Sequence, residues 1–308
     1  MSSQSVVERL RDQWRGSPPV AQLLESLEAY AGGNPLDDCA ILAECLTSTA
    51  TARRLLSPLI DGLCAALRDH PFAHVPLRHR FARGVSVLEL VRSAGASMSL
   101  VVYETAAFDG REAAPSIAFA DEERHELCLS GAGSGRIATV VGEREDRVVL
   151  DVRSLAFEQQ SILAFDCSSS RIIDRVDGHL AILRLARLPQ SPGPTREFRL
   201  SDGRLLHCAS GCRRDSRDEM AVALLGRMNR RDAAEPLAAI ACGKGAEHLR
   251  WQAVRNSLAL DSLVGFAALE VLVGKDGDEL SVPAAKLYRQ LVEQYPELAR
   301  TEKQPCLT

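Results

Sequence analysis

The sequence predicts an α+β multidomain protein in which helical segments flank a central strand-rich segment. Before residue 77 and after residue 213, apolar residues recur every three or four positions, which indicates amphipathic helices. Between these segments, short β-rich runs alternate with glycine, aspartate and serine roughly every ten residues, a spacing typical of an antiparallel sandwich or small barrel. A chain of 308 residues also exceeds the usual size of one small domain.

Residues 1–77 are predicted to form a helical N-terminal cap. The helical periodicity covers residues 6–14, 20–30, 36–46 and 52–67. The two prolines after Ser17 separate the first two runs, and Gly32 ends the second. Trp14 is expected to be a buried packing anchor. The sequence leaves open whether these helices dock on the strand-rich segment.

Residues 78–188 are predicted to form an antiparallel β-barrel. The strand-like runs are 85–91, 97–103, 116–119, 126–129, 136–141, 147–152, 162–165, 172–176 and 180–185. Residues 189–212 are predicted to be a linker with a short hairpin. Proline, glycine and serine dominate the start of this segment, and two short β-rich runs flank its Asp202-Gly203 turn.

Residues 213–300 are predicted to form α-solenoid-like helices. The helical runs are 220–228, 232–241, 247–260, 262–273 and 282–295. Segments offset by 32 residues are similar to one another, so that Val222 corresponds to Val254 and Leu237 to Leu269. Two-helix units that recur every 30 to 47 residues or so are typical of helical-repeat proteins. On these residues the segment resembles the HEAT-repeat family.

A second resemblance depends on the spacing of a few residues in the strand-rich segment. The spacing is carried by Gly110, Ser116, Ala118, Glu123 and Gly131 in one part and by Asp166, Cys167, Ser168 and Arg171 in a second part. With this spacing the segment resembles the cupin family of small β-barrels. The family motif has histidines at the positions of Ser116, Ala118 and Arg171.

The cupin resemblance implies a barrel that holds no metal. In the family, imidazole nitrogens from these three positions hold a divalent metal ion. Ser116 and Ala118 supply no imidazole, and Arg171 would place a fixed positive charge beside the ion. We therefore expect no cofactor.

The sequence leaves two other functions of the barrel open. His125, His179 and Glu104 are a chemically adequate ligand set for Fe, Mn or Zn, in which case the chain would be a divergent oxygenase or isomerase. Alternatively, the barrel binds a small anionic ligand. The candidate residues for that pocket are Arg171, Arg175, Glu104 and His125, and the arginines of the late strands include Arg184.

Two further motifs are expected to carry no chemistry. His207, Cys208 and Cys212 lie within six residues, but no second Cys or His pair follows at finger-like spacing, so we expect no zinc site. The glycines at 131, 133 and 135 lack the downstream helix of a dinucleotide-binding fingerprint, and we expect them to form a hairpin turn.

A protein partner is expected to bind the helical run 247–260. The candidate contact residues are Trp251, Arg250 and Arg255, although Trp251 can also be interpreted as a core residue between repeats. Nucleic acid is not an expected partner, because the net charge is −4 and acidic residues interleave the arginines of 213–231. We expect no membrane segment, since no apolar run approaches roughly 18 residues.

The expected location is the cytoplasm. The nine cysteines are odd in number and scattered, and the first residues do not have the pattern of a signal peptide, which favours reduced thiols. The sequence thus favours a non-enzymatic interaction or regulatory protein with a metal-free cupin-like barrel. The alternative is a divergent metal-dependent cupin enzyme.

Overall fold

The computed structural model describes residues 2–110, 112–144 and 147–297, with the backbone alone at residues 213 and 214. These residues form two compact units that divide between His207 and Cys208. Among the residues described, no helix combines the length and the apolar character that a membrane crossing requires.

The first unit begins with four α-helices, as predicted. They are α1 (Ser3–Arg15), α2 (Pro18–Ala31), α3 (Ala40–Thr47) and α4 (Thr49–Asp69). The Ser2 side chain caps α1 by accepting a hydrogen bond from the Ser5 backbone N–H at 3.3 Å. Pro18 occupies the first position of α2, where its missing N–H would have no helical partner. Trp14 is buried, as expected, and its indole N–H donates to the Leu55 carbonyl at 2.8 Å.

The strands follow in chain order, and the last of them continues past the boundary between the two units. They are β1 (Arg78–Ala82), β2 (Val85–Ser93), β3 (Ala96–Glu104), β4 (Ser116–Phe119), β5 (Glu123–Arg144), β6 (Arg147–Phe157), β7 (Ile162–Phe165), β8 (Ser169–Arg187), β9 (Thr195–Arg199) and β10 (Leu205–Ala209). The predicted strand runs are confirmed, with two differences. β1 was not predicted, and β5 and β8 each run without interruption through two predicted runs.

The strands form mostly antiparallel β-structure. In the described residues, the larger sheet has the order β1-β2-β3-β8-β5-β6, and β7 pairs with β5 beside it. A second sheet has the order β10-β9-β4. The long strands β5 and β8 pair with each other over nearly their full length. They form the central ribbon of the unit.

Three glycines of β5 lie where its backbone closely approaches that of β8. The expected hairpin turn was wrong, because Gly131, Gly133 and Gly135 lie inside β5 and opposite β8. A Cβ atom at Gly131 would lie 1.8 Å from the His179 carbonyl oxygen, and one at Gly135 would lie 2.0 Å from that of Ile172. The β5–β8 register also shifts beside Gly131 and beside Gly135. The two backbones approach so closely that only glycine fits.

The two faces of the larger sheet have different neighbours. On one face, Leu127, Leu183 and Leu185 belong to the hydrophobic core that also contains the buried side chains of α1–α4. On the other face, Cys128 and Ile182 belong to a separate core with Phe157, Val176 and Leu180. Adjacent residues of a strand point to opposite faces, which explains this division. The N-terminal helices therefore dock on the sheet, a point that the sequence left open.

The second unit is helical. Its helices are α5 (Arg213–Arg227), α6 (Ala234–Cys242), α7 (Glu247–Leu260), α8 (Ser262–Val273) and α9 (Ser281–Gln294). α5 packs on α7 and α6 packs on α8, so equivalent helices of two successive pairs are neighbours. The corresponding residues Val222 and Val254 are both buried, as are Leu237 and Leu269. These contacts agree with a 32-residue repeat, and the HEAT-like assignment itself stays a prediction.

Candidate functional site

A buried glutamate lies on the face of the larger sheet that points away from the helices. Glu126 on β5 is paired in register with Arg184 on β8, and its side chain is 1% exposed. Its Oε1 accepts a hydrogen bond from Arg184 Nε at 2.8 Å, and its Oε2 accepts one from Arg171 Nε at 2.5 Å. Both bonds join ionised groups and are therefore stronger than neutral hydrogen bonds.

A third guanidinium group and a phenol complete this cluster. Arg124 lies two residues before Glu126 on the same face, with its Nε 3.5 Å from Glu126 Oε1. The Tyr103 hydroxyl accepts hydrogen bonds from Arg171 at 3.4 Å and from Arg184 at 3.3 Å. We call Glu126, Arg124, Arg171, Arg184 and Tyr103 the interior charge cluster.

Aromatic rings cover two of the three guanidinium groups. The Arg171 guanidinium carbon lies 5.3 Å from the centre of the Phe157 ring, and that of Arg124 lies 4.6 Å from the centre of the Phe165 ring. A cation over a ring face is attracted by the electrons of that face. The rings also exclude water, which strengthens every charge interaction inside the cluster.

The cluster changes the ionisation of its members. Burial by itself would raise the pKa of Glu126, but Arg171 and Arg184 outweigh burial and lower that pKa to about 2. The pKa of Tyr103 is also lowered, because the two arginines overcome the effect of burial. Burial lowers the pKa of Arg124. Glu126 is therefore ionised at neutral pH and balances only part of the surrounding positive charge.

A small cavity adjoins the cluster. It has a volume of about 170 Å³, and Arg124, Phe165, Ser170 and Ala118 are among its lining residues, with Glu122 and Asp166 at the same cavity. Arg124 Nε is buried without a hydrogen-bond partner and lies 3.5 Å from Glu126 Oε1, and Ser170 is a buried residue at the same cavity. A guanidinium group and a hydroxyl group thus line one cavity.

The carboxylates at this cavity already have partners. Glu122 accepts a hydrogen bond from Arg124 Nη1 at 2.9 Å. Asp166 accepts from the hydroxyls of Ser168 and Ser169 at 2.8 and 2.9 Å, and these serines lower its pKa. Because both carboxylates are bonded to protein groups, the polar groups of the cavity that can bind a ligand are hydrogen-bond donors.

The structure does not bring the four residues of the expected ligand pocket together. Arg171 lies in the interior charge cluster, but Arg175 is exposed and donates to Asp177 at 2.8 Å. Glu104 is exposed at the end of β3. His125 shares the helix-facing side of β5 with Leu127, and its Nε2 lies 2.9 Å from Glu123 Oε1. The expectation that these four side chains share one pocket was wrong, because His125 points to the face opposite to that of Glu126, and Arg175 and Glu104 are exposed.

The alternative metal ligands are also separated. Glu104 and His179 are register partners on β3 and β8, whereas His125 is paired with Leu185, six positions further along β8. Six residues of a strand span roughly 20 Å. In the part of the chain that the structure describes, no group of three His, Cys, Asp or Glu side chains is placed to hold a metal ion.

The positions that correspond to cupin histidines make other interactions. Ser116 on β4 donates a hydrogen bond to Glu197 on β9 at 2.5 Å. Ala118 lines the small cavity, and Arg171 binds Glu126. Asp166, Cys167 and Ser168 form the turn between β7 and β8.

The candidate partner residues of α7 have three different environments. Arg250 is 8% exposed; its Nε donates to the Ala241 carbonyl at 3.0 Å and its Nη2 to Asp278 at 2.6 Å. Trp251 is half-buried and packs against the core of the helical unit, while Arg255 is exposed. The expectation that Arg250 contacts a partner was wrong, because its guanidinium group is buried and forms its hydrogen bonds and ion pair inside the helical unit.

We expect Arg250→Met to destabilise the helical unit by at least about 2 kcal/mol, because Asp278 then has the more exposed Lys275 as its ion-pair partner and the Ala241 carbonyl loses its donor. Arg255→Met, the matched exposed control, is expected to cost less than about 0.5 kcal/mol. Urea unfolding followed by Trp251 fluorescence, in a Trp14→Phe background, reports on this unit. Equal stability of the two variants would contradict the assignment of Arg250 as an internal residue.

Sequence reasoning missed Glu126, Arg124 and Tyr103. A signal was present, because Glu126 directly precedes the apolar run 127–129 at the start of a predicted strand. A charged residue in a predicted strand, next to such a run, indicates a buried partner of opposite charge. Arg184 was noted as a charge on a late strand, but its partner depends on the β5–β8 register.

No protein-family model and no curated protein matches this sequence. Solved structures similar to parts of the chain include HutD from Pseudomonas fluorescens SBW25, at 20% identity and a TM-score of 0.25 over 37% of this chain and 58% of that chain. Ectoine synthase from P. lautus is similar at 11% identity and a TM-score of 0.24, over 35% of this chain and 67% of that chain. The CENP-C cupin domain of Drosophila melanogaster is similar at 13% identity and a TM-score of 0.27, over 37% of this chain and 76% of that chain. Likenesses of this extent define no family, activity or partner.

Proposed function

We propose that this chain is a non-enzymatic binding protein with two binding parts. In this proposal the β-rich unit is a metal-free, cupin-like module that binds a small oxyanion, and the helical unit binds a protein partner. The observation that carries the proposal is the interior charge cluster, in which three guanidinium groups surround one buried carboxylate.

The composition of the cluster supports a metal-free interior. A divalent ion there would be repelled by three fixed positive charges, and its natural ligand Glu126 is already bonded to two arginines. Guanidinium groups do not coordinate metals, because they have donors and no acceptor.

The donors at the cavity support an oxyanion as ligand. The Arg124 guanidinium group and the Ser170 hydroxyl line the cavity and can both donate to an anionic oxygen. Counting Glu122, Glu126 and Asp166 against Arg124, Arg171 and Arg184 leaves no net charge, so binding of an oxyanion would depend on the hydrogen-bond donors and not on an excess of positive charge. A cavity of about 170 Å³ has room for an ion of the size of acetate or phosphate.

Calorimetric titration of the full chain with acetate and with phosphate tests this proposal, with chloride at equal ionic strength as the control. We expect one of the two oxyanions to bind with a Kd near about 1 mM. Arg124→Gln and Ser170→Val should each weaken binding about tenfold or more. Arg196→Gln, which removes an exposed arginine from a neighbouring cavity, should leave binding unchanged.

Two outcomes would contradict the proposal. Equal heats for chloride and both oxyanions, or equal losses in all three variants, would show that the cavity is no anion site. Near-stoichiometric Fe, Mn or Zn in the purified chain, lost in a His125→Ala/His179→Ala variant, would instead favour the divergent metal enzyme. Mass spectrometry of chelator-free protein measures this metal content.

A further inference from the structure

The first helix of the helical unit has an exposed apolar stripe. Met220, Leu224 and Met228 follow at four-residue intervals, and their exposed fractions are 64%, 57% and 55%. Residues four apart lie above one another on a helix, so the three side chains form one continuous row along α5 and its end. Three large apolar side chains exposed together are unusual on a surface that has no partner.

The stripe is not the face by which α5 packs in its own unit. Val222 is buried and Leu225 is half-buried against the unit's core, on the side that contacts α7. α5 is therefore apolar on two sides, of which only one is covered. Helical repeats normally end with a polar outer face, since a stacked unit otherwise exposes apolar surface to water.

Arginines flank the stripe. Arg217, Arg227 and Arg231 are exposed, and none of them forms an ion pair with another residue that the structure describes. Asp218 and Asp232 are exposed carboxylates of the same stretch, and Asp232 is paired with Arg230. The surface is thus an apolar row with an excess of positive charge at its edges.

We propose that this surface, made of Met220, Leu224, Met228, Arg217, Arg227 and Arg231, binds an amphipathic helix of a protein partner. The apolar side of that helix covers the stripe, and acidic residues beside it pair with the arginines. Methionines adapt their shape to different apolar side chains, which suits such a surface. This inference rests on the proposed function, because it defines the partner that the helical unit binds.

Charge argues against a second copy of this chain as the occupant. Arg217 and Arg227 lie on α5, and Arg231 follows its end, so two copies of this surface would both bring an excess of arginine to their interface. Like charges would then meet, whereas an acidic helix meets opposite charges.

The test uses the full chain and a fluorescein-labelled helical peptide of about 18 residues, with leucines on one side and glutamates on both edges. We expect fluorescence anisotropy to show a Kd near about 10 μM. Leu224→Asp and Arg227→Glu should each weaken binding at least about tenfold. Val271→Asp, which changes an equally exposed apolar residue on α8, should have no effect.

A charge exchange separates pairing from a general loss of structure. A second peptide with lysines in place of the glutamates should bind Arg227→Glu more tightly than it binds the original chain. The helicity of each variant, measured by circular dichroism, should be unchanged because the substituted side chains are exposed.

Three results would overturn the inference. The first is that the acidic peptide does not bind at concentrations up to about 1 mM. The second is that Val271→Asp weakens peptide binding as much as Leu224→Asp does. The third is a concentration-dependent dimer, observed by sedimentation, that Leu224→Asp abolishes. The dimer would identify a second copy as the occupant. Oxyanion binding without peptide binding would mean that this inference alone fails. Loss of both would mean that the proposed function fails as well.

Discussion

Gly131→Ala is expected to unfold the β-rich unit or to destabilise it by on the order of 4 kcal/mol or more. The added Cβ would lie 1.8 Å from the carbonyl oxygen of His179, which is backbone and cannot rotate away. Gly131 also has a φ of +86°, a conformation that alanine adopts only with strain. Relief would require β5 and β8 to separate at the centre of the unit.

The measurement is urea unfolding of the full chain, followed by Trp14 fluorescence in a Trp251→Phe background. Gly142→Ala is the matched control, because Gly142 lies on the same strand and a Cβ there meets only Val149 side-chain atoms, at 3.8 Å. We expect the control to change stability by less than about 1 kcal/mol. Equal stability of the two variants would mean that the β5–β8 backbones are not in close contact at Gly131.

Glu126→Gln is expected to destabilise the β-rich unit by about 3 to 5 kcal/mol. The substitution keeps the shape of the side chain but removes the carboxylate that, among the residues the structure describes, is paired with both Arg171 and Arg184. Glu143→Gln is the control, because Glu143 forms an exposed ion pair with Arg196. The control should cost less than about 1 kcal/mol.

The pH dependence of unfolding distinguishes lost charge from lost packing. The pKa of Glu126 is lowered from 4.5 to about 2, so its contribution is complete above about pH 4.5 and is lost as the pH falls toward 2. The shift corresponds to about 3 kcal/mol. The stability difference between the original chain and Glu126→Gln should therefore shrink by this amount over that interval. A difference that stays constant with pH would show that the cluster does not hold Glu126 ionised.

Most elements could be predicted from the sequence because their signals are local. The helical period before residue 77 and after residue 213, and the strand runs between them, depend on residues three, four or two apart. The errors were local as well. Phe81 and Ala82 of β1 lie among charged residues, which hid the strand, and the glycines of β5 suggested a turn where the strand continues.

The candidate site was predicted only in part. Arg171 was identified from its place in a motif, and the structure does place it in the interior. His125 was assigned to the same pocket, but it lies on the helix-facing side of β5, one position from Glu126. Spacing along a chain says which residues share a face, but it does not say which face is inside.

Local sequence patterns specify the types and order of the elements, the likeness between helices 32 residues apart and the lack of imidazole at three motif positions. The pairing of Glu126 with Arg171 and Arg184, the internal position of Arg250 and the exposed stripe of α5 appear in the folded chain alone, because they depend on strand register, bulges and helix stacking. The contacts of Glu126 and Arg250 join residues 28 to 58 positions apart, and no local pattern specifies such pairings.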